Sequence, residues 1–106
     1  MKSSSLSVSR LSTNGLTGSL LRRGVLRQMA RLKHGQLVVV EDGERMLFGT
    51  PGSALVGEIH ILDAAVWGLV ASNGSIGAGE SFIHGYWSSP DLTAVVRVFV
   101  SNLEVL

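Results

Sequence analysis

The sequence predicts an α+β fold: a small antiparallel three-stranded sheet, a hairpin plus one strand, packed with an N-terminal helix and three C-terminal helices. Three observations carry this expectation. A valine-rich run ends on Asp42-Gly43, a favoured pair for a two-residue hairpin turn. Apolar residues recur at spacings of three and four on either side of that region. The chain has 106 residues, 45% hydrophobic and 16% charged, which suffices for one core and one domain. That domain is expected over residues 16–106, after a flexible tail over residues 1–15 that is rich in Ser and Thr and lacks periodicity.

The elements follow in order. Residues 16–33 read as a helix. Leu21, Val25, Met29 and Leu32 share one face, and Arg23, Arg27 and Arg31 recur every four residues on another. Gly24 weakens this helix by roughly 1 kcal/mol relative to alanine. Leu37–Glu41 and Arg45–Phe48 form the hairpin, and Pro51-Gly52 breaks the pattern. Val56–Leu62 is a third strand, with Val56, Ile59 and Ile61 apolar, Glu58 and His60 pointing the other way, and Gly57 out of phase. His60 is expected to be a partly exposed strand histidine. Asp63 caps a helix over Ala64–Ser72, in which Trp67 shares a face with Val66 and Val70 and belongs to the core. Asn73-Gly74 closes it. The run "GSIGAG", Gly74–Gly79, is expected to be a tight connection; it lacks the Lys-Ser/Thr pair of a phosphate-binding loop. Glu80–Trp87 is then a short helix ended by Gly85. Ser89 caps the last helix, with Pro90 in its first turn and Leu92, Val95, Val96, Phe99 and Leu103 as its apolar face. The β-branched Val96–Val100 would also suit a strand, but the capping residues favour helix.

Charge is divided unevenly. Residues 1–34 hold seven of the nine basic residues and no acid, whereas residues 35–106 hold two basic residues against all eight acids, a balance of −6. An acid-free basic amphipathic helix suits an anionic surface, which makes Arg22, Arg23, Arg27, Arg31 and Lys33 candidate contacts for anionic lipid. An ordinary surface helix with solvated arginines accounts for the same pattern. Nucleic acid is disfavoured as a partner, because the body is acidic and no aromatics interleave with the arginines. The chain has no cysteine, which excludes disulfides and thiolate metal sites, and His34, His60 and His84 are too scattered in sequence to show metal-ligand spacing. No apolar run approaches the length of a membrane span.

The densest stretch is "GESFIHGYWSSPDLTAVV", Gly79–Val96. Glu80 and His84 stand four apart, which places them on one helix face and within reach of a proton relay. An ion pair or a packing contact uses the same spacing. No third orienting group, metal partner or cofactor loop accompanies them, so no catalytic, cofactor-binding or metal residue is assigned.

Two longer stretches carry a resemblance. "HGQLVVVEDGERMLFG" has a Gly-x-Leu strand start, an Asp-Gly turn and a Phe-Gly end. "IHILDAAVWGLVASNGSIGAGESFIHGYWSSPDLTAVVRVFVSN" continues with a strand, Asp-x-x-x-Trp, Gly-x-Gly-Glu-Ser-Phe, Gly-x-Trp and Asp-Leu-Thr. In this order the pieces resemble the N-terminal domain of the cyclopropane-fatty-acyl-phospholipid synthase family, over about residues 33–103. Gly79, Glu80, Phe82, Gly85, Trp87, Asp91, Leu92 and Thr93 match the pattern; His84 departs from it, since an acid is usual before that glycine. The resemblance implies a non-catalytic domain of a longer S-adenosylmethionine-dependent methyltransferase that modifies unsaturated acyl chains of membrane phospholipids. The cofactor and the catalysis belong to the later domain, so this chain alone is expected to bind no cofactor. Implied partners are that catalytic domain and an anionic membrane surface, on the cytoplasmic side of the inner membrane, and a homo-oligomer is left open. Glu80, Phe82, His84, Tyr86 and Trp87 are the candidate interdomain docking residues. The alternative is a stand-alone acyl-chain carrier, which requires an apolar cavity of a few hundred Å³.

Overall fold

The Asp42-Gly43 pair organises the sheet. In the computed structural model, which describes residues 17–106, both residues take positive φ (52° and 81°), as a type I′ turn requires. The turn joins β1 (Gln36–Glu41) to β2 (Glu44–Gly49) in antiparallel register, with Gln36 opposite Gly49 and Glu41 opposite Glu44. The tail expected over residues 1–15 lies outside the described residues.

β3 (Val56–Ile61) does not extend the hairpin as a meander. It lies on the other side of β1, parallel to it, with Gln36 opposite Val56 and Val40 opposite His60. β4 (Trp87–Ser88) pairs antiparallel with β3, so the sheet has four strands in the order β2-β1-β3-β4. The expected three-stranded antiparallel sheet is therefore corrected to a four-stranded mixed one. Parallel neighbours need a long crossover, and β2 itself supplies it. The chain leaving β2 arches past the start of β1, where Gly35 O accepts from Thr50 N (2.9 Å) and Gln36 N donates to Leu55 O (2.9 Å). Gly49, at φ 90°, lies against that Gly35 carbonyl where a Cβ would collide. Leu37 and Val39 are buried under the helices, while Val38, on the opposite face, is buried between its strand neighbours Leu47 and Glu58.

Three helices cover one face of the sheet, the face of Leu37, Val39, Ile59 and Trp87. α1 (Gly18–Met29) packs on α2 (Ala65–Ile83), and α3 (Leu92–Ser101) packs on β3. α1 ends at Met29, so Arg31 and Lys33 follow it rather than continue it. Its inward face is the expected one, with Val25 buried and Leu21 and Met29 half-buried.

α2 differs most from expectation. The region expected to be a helix, a glycine loop and a second short helix is one 19-residue helix with a kink at Gly74 (φ 56°, ψ −129°). The break falls where Asn73-Gly74 predicts it, but the glycine run after it is helical. Gly77 fits there because its missing Cβ leaves room for the Leu69 carbonyl, which belongs to the part of the helix before the kink. Helix α2 starts at Ala65, whose N–H donates to Asp63 Oδ1 (2.8 Å), so Asp63 supplies the capping carboxylate with Ala64 in between. The expected short helix stops at Ile83. Gly85 (φ 78°) turns the chain, and Trp87 joins the sheet opposite Ile61.

α3 is capped by Asp91, not Ser89. Asp91 Oδ1 accepts from Ala94 N (3.1 Å), while Ser89 Oγ accepts from Asp91 N (3.1 Å). Its buried residues are Ala94, Val95 and Val98; of the expected apolar face, Leu92, Val96 and Leu103 are exposed. The reason is Gly57. A Cβ there would stand 2.9 Å from Val95 Cα, so α3 rests on β3 through Val95 and turns the Val96 row outward.

Candidate functional site

Four hydrogen bonds shape the space between α1, α2 and the sheet. Glu41, at the end of β1, takes one donor on each oxygen: Arg22 Nε on Oε1 (2.8 Å) and Trp67 Nε1 on Oε2 (3.0 Å). The Arg22 guanidinium also stands over the Trp67 ring, 5.5 Å from its centroid. Trp87 Nε1 donates to Ala78 O (2.9 Å), and Gln28 Nε2 donates to Val105 O (2.5 Å). With these groups satisfied, both indole rings present apolar surface to a cavity of about 480 Å³. Leu21 and Val25 of α1, Ile59 and Ile61 of β3, and Val66 and Val70 of α2 complete most of its wall. Gln28 and Ser75 are the two non-aromatic polar side chains in that wall.

Among the described residues, no basic residue lines this cavity, but the helix surface next to its edge is basic. Leu20 and Gly24 of α1 line it. Arg23 and Arg27 follow these two positions by three residues each, so they stand beside them on the helix surface. Both arginines are exposed, as are Arg31 and Lys33 beyond the helix end. Arg22 is different: its pairing with Glu41 assigns it to the fold rather than to the outer surface. Gly24 sits in mid-helix, where a glycine is unfavourable, and no close packing requires it; a Cβ there meets nothing within 4 Å.

A second apolar surface lies between the C-terminal half of α2 and α3. Phe82, Leu92, Val96, Val100 and Leu103 line this groove, and all five are exposed. Ile83, next to Phe82, is 83% exposed. Five exposed apolar side chains on one groove form a patch rather than scattered surface residues.

The expected docking residues separate. Glu80, Phe82 and His84 are exposed and Tyr86 is half-buried, but Trp87 is buried in this chain's own core. Glu80 and His84 do not act as a pair: the Glu80 carboxylate receives Asn73 Nδ2 at 3.5 Å, and the His84 ring stacks on Tyr86 with centroids 5.3 Å apart. The closest carboxylate–imidazole contact among the described residues is elsewhere, between Glu58 and His60 on the sheet face that no helix covers, with Arg45 Nη2 at 3.7 Å from Glu58; His34 Nε2 also stands 3.5 Å from Glu104 Oε1. The hydrogen bond from His60, assisted by Arg45, holds the Glu58 carboxyl below its ordinary range. His60 is half-exposed, as the strand alternation predicts.

The cavity wall does not fit S-adenosylmethionine. A ribose, an adenine and a charged sulfonium call for carboxylates and free donors, and this wall holds no acid and has its indole and amide donors engaged. Among the described residues, no cluster of three His, Cys, Asp or Glu forms, and no helix is long and apolar enough to cross a membrane. No described protein family, curated protein or solved structure matches the chain.

Three of the eight residues shared with the resemblance have clear roles in this fold. Gly85 supplies the positive φ before β4, Trp87 ties β4 to α2, and Asp91 caps α3. One group in this stretch is left over: Ser81 is fully buried and its Oγ has no hydrogen-bond partner.

Proposed function

We propose that this chain is the non-catalytic accessory domain of a methyltransferase resembling the cyclopropane-fatty-acyl-phospholipid synthases, working at the cytoplasmic face of the inner membrane. In this reading the parent enzyme carries S-adenosylmethionine and modifies unsaturated acyl chains of phospholipids. The accessory domain meets the membrane through Arg23, Arg27, Arg31 and Lys33. It docks on the catalytic domain through the groove of α2 and α3, which Phe82 lines, and through Glu80, His84 and Tyr86 nearby in the chain.

The observation that carries the docking half is the exposed apolar row Leu92, Val96, Val100 and Leu103 beside Phe82. A domain that works alone has little reason to leave such a face in water, whereas one that packs on a neighbour buries it. The test is calorimetry of this chain with an isolated catalytic domain of that family. A one-to-one complex that Val96→Asp abolishes is the expected result, and the absence of any complex sinks the docking reading. The apolar cavity favours a second reading, a stand-alone acyl-chain carrier; retention of lipid through purification together with no complex selects it.

A further inference from the structure

We propose that the cavity beneath α1 is a binding site for one linear acyl chain, with the anionic head of that lipid held by Arg23 and Arg27 beside its mouth. The inference deepens the lipid-facing half of the function above and rests on it for the source of the lipid.

Shape, chemistry and charge point the same way. The cavity holds about 480 Å³. A methylene is comparable in size to a water molecule, whose share of liquid volume is about 30 Å³, so the space admits on the order of 16 methylenes: one long chain, not two. Its wall is mostly hydrocarbon and aromatic ring, and its two indole N–H groups and the Gln28 amide already have partners, with the Ser75 hydroxyl beside them. A wall this apolar favours an apolar ligand over water. The polar end of a lipid must therefore stay at the mouth, where α1 places Arg23 and Arg27 beside Leu20 and Gly24 with no acid between residues 17 and 40. Gly24 fits the same account. It weakens α1, no close packing explains it, and its missing side chain leaves the mouth open.

Both tryptophans of the chain, Trp67 and Trp87, are in the wall, which makes the site directly readable. The full chain is titrated with a long-chain fatty acid brominated at mid-chain, because bromine quenches an indole that it touches. Saturable quenching at one equivalent, reversed by the unbrominated acid, is expected. Gly24→Leu places a side chain in the mouth while improving helix propensity, so it is expected to keep the fold and lose most of the quenching. Arg23→Glu with Arg27→Glu is expected to weaken the acid by roughly tenfold or more while leaving the corresponding long-chain alcohol unchanged. A parallel titration with vesicles of phosphatidylglycerol bearing one brominated chain distinguishes membrane lipid from free acid as the source; quenching in either arm supports the site. No quenching in both arms overturns it, as does a folded Gly24→Leu variant that binds like the parent. Sedimentation with anionic vesicles without quenching overturns the acyl site and leaves the membrane-facing function standing.

Discussion

At the scale of single residues, the fold depends on polar groups placed where no local pattern announces them. Asn102 is fully buried at the C-cap of α3 and makes four bonds: Oδ1 accepts from Lys33 N (2.9 Å) and His34 N (3.0 Å), and Nδ2 donates to His34 O (2.8 Å) and Val98 O (2.7 Å). It fastens the end of the chain to the segment entering β1. Asn102→Ala strands two backbone donors, so a loss of about 3 kcal/mol in urea unfolding is expected; a loss under 1 kcal/mol contradicts the clamp. The clamp made by Asn102 is not legible in the sequence because His34 and Lys33 lie 68 and 69 positions away. Trp67 was legible as core, since its neighbours Val66 and Val70 are local, but Glu41 as its hydrogen-bond acceptor was not. Glu58 makes a pH prediction. Its carboxyl is held below the ordinary 4.5 chiefly by the His60 hydrogen bond and secondarily by Arg45. A depressed folded-state pKa contributes stability that is present above the unfolded value and lost as pH falls through the folded one. His60→Ala is therefore expected to move the Glu58 titration, followed by carboxyl NMR, up toward 4.5 and to flatten the acid limb of stability. A Glu58 titration that stays put in His60→Ala removes this account.

At the scale of elements, what was legible is what is local. The type I′ turn, the inward face of α1, the alternation of β3 from Glu58 to Ile61 and the helical character of α3 each follow from neighbouring residues. But Val56, grouped by the sequence with Ile59 and Ile61, is exposed on the side of Glu58 and His60, and Gly57, expected out of phase, takes the inward position against Val95. Three features depend on distant ones. The parallel placement of β3 is decided by the path of residues 50–55 past Gly35, the face of α3 by contact with Gly57, and the existence of β4 by pairing with β3. In α2, the glycines read as loop because glycine disfavours helix on its own, yet packing overrides that preference after Gly74. The glycines of this run are thus not equivalent. Gly74 holds a backbone conformation that strains any side chain, so Gly74→Ala is expected to cost about 1–3 kcal/mol. Gly79 is helical with nothing within 4 Å of its Cβ position, so Gly79→Ala is expected to add up to about 1 kcal/mol. Paired thermal melts decide it, and equal shifts for both variants would mean that the kink is not held at Gly74.

At the scale of the whole molecule, charge and apolarity occupy different helices. The basic residues concentrate before residue 35 and reach the described surface on and just after α1, while the exposed apolar rows belong to α2 and α3. The charge asymmetry was legible in composition alone. The apolar face was not, because the periodicity of residues 92–103 shows that α3 has an apolar side without showing how wide it is or which part the sheet covers. That uncovered part has a consequence in solution. Val96 and Val100 are 49% and 59% exposed, one turn apart on the same row of α3, and little in the described fold depends on their side chains. Surface changes of this kind usually stay within about 0.5 kcal/mol of the parent. The net charge of +1 is too small to keep such faces apart by repulsion. The chain on its own is therefore expected to self-associate as its concentration rises in analytical ultracentrifugation. Val96→Asp with Val100→Asp is expected to hold it monomeric without moving its melting temperature. A parent chain that stays monomeric at the highest soluble concentration contradicts the view that this face seeks a partner, and a variant that melts early shows that the row belongs to the core after all.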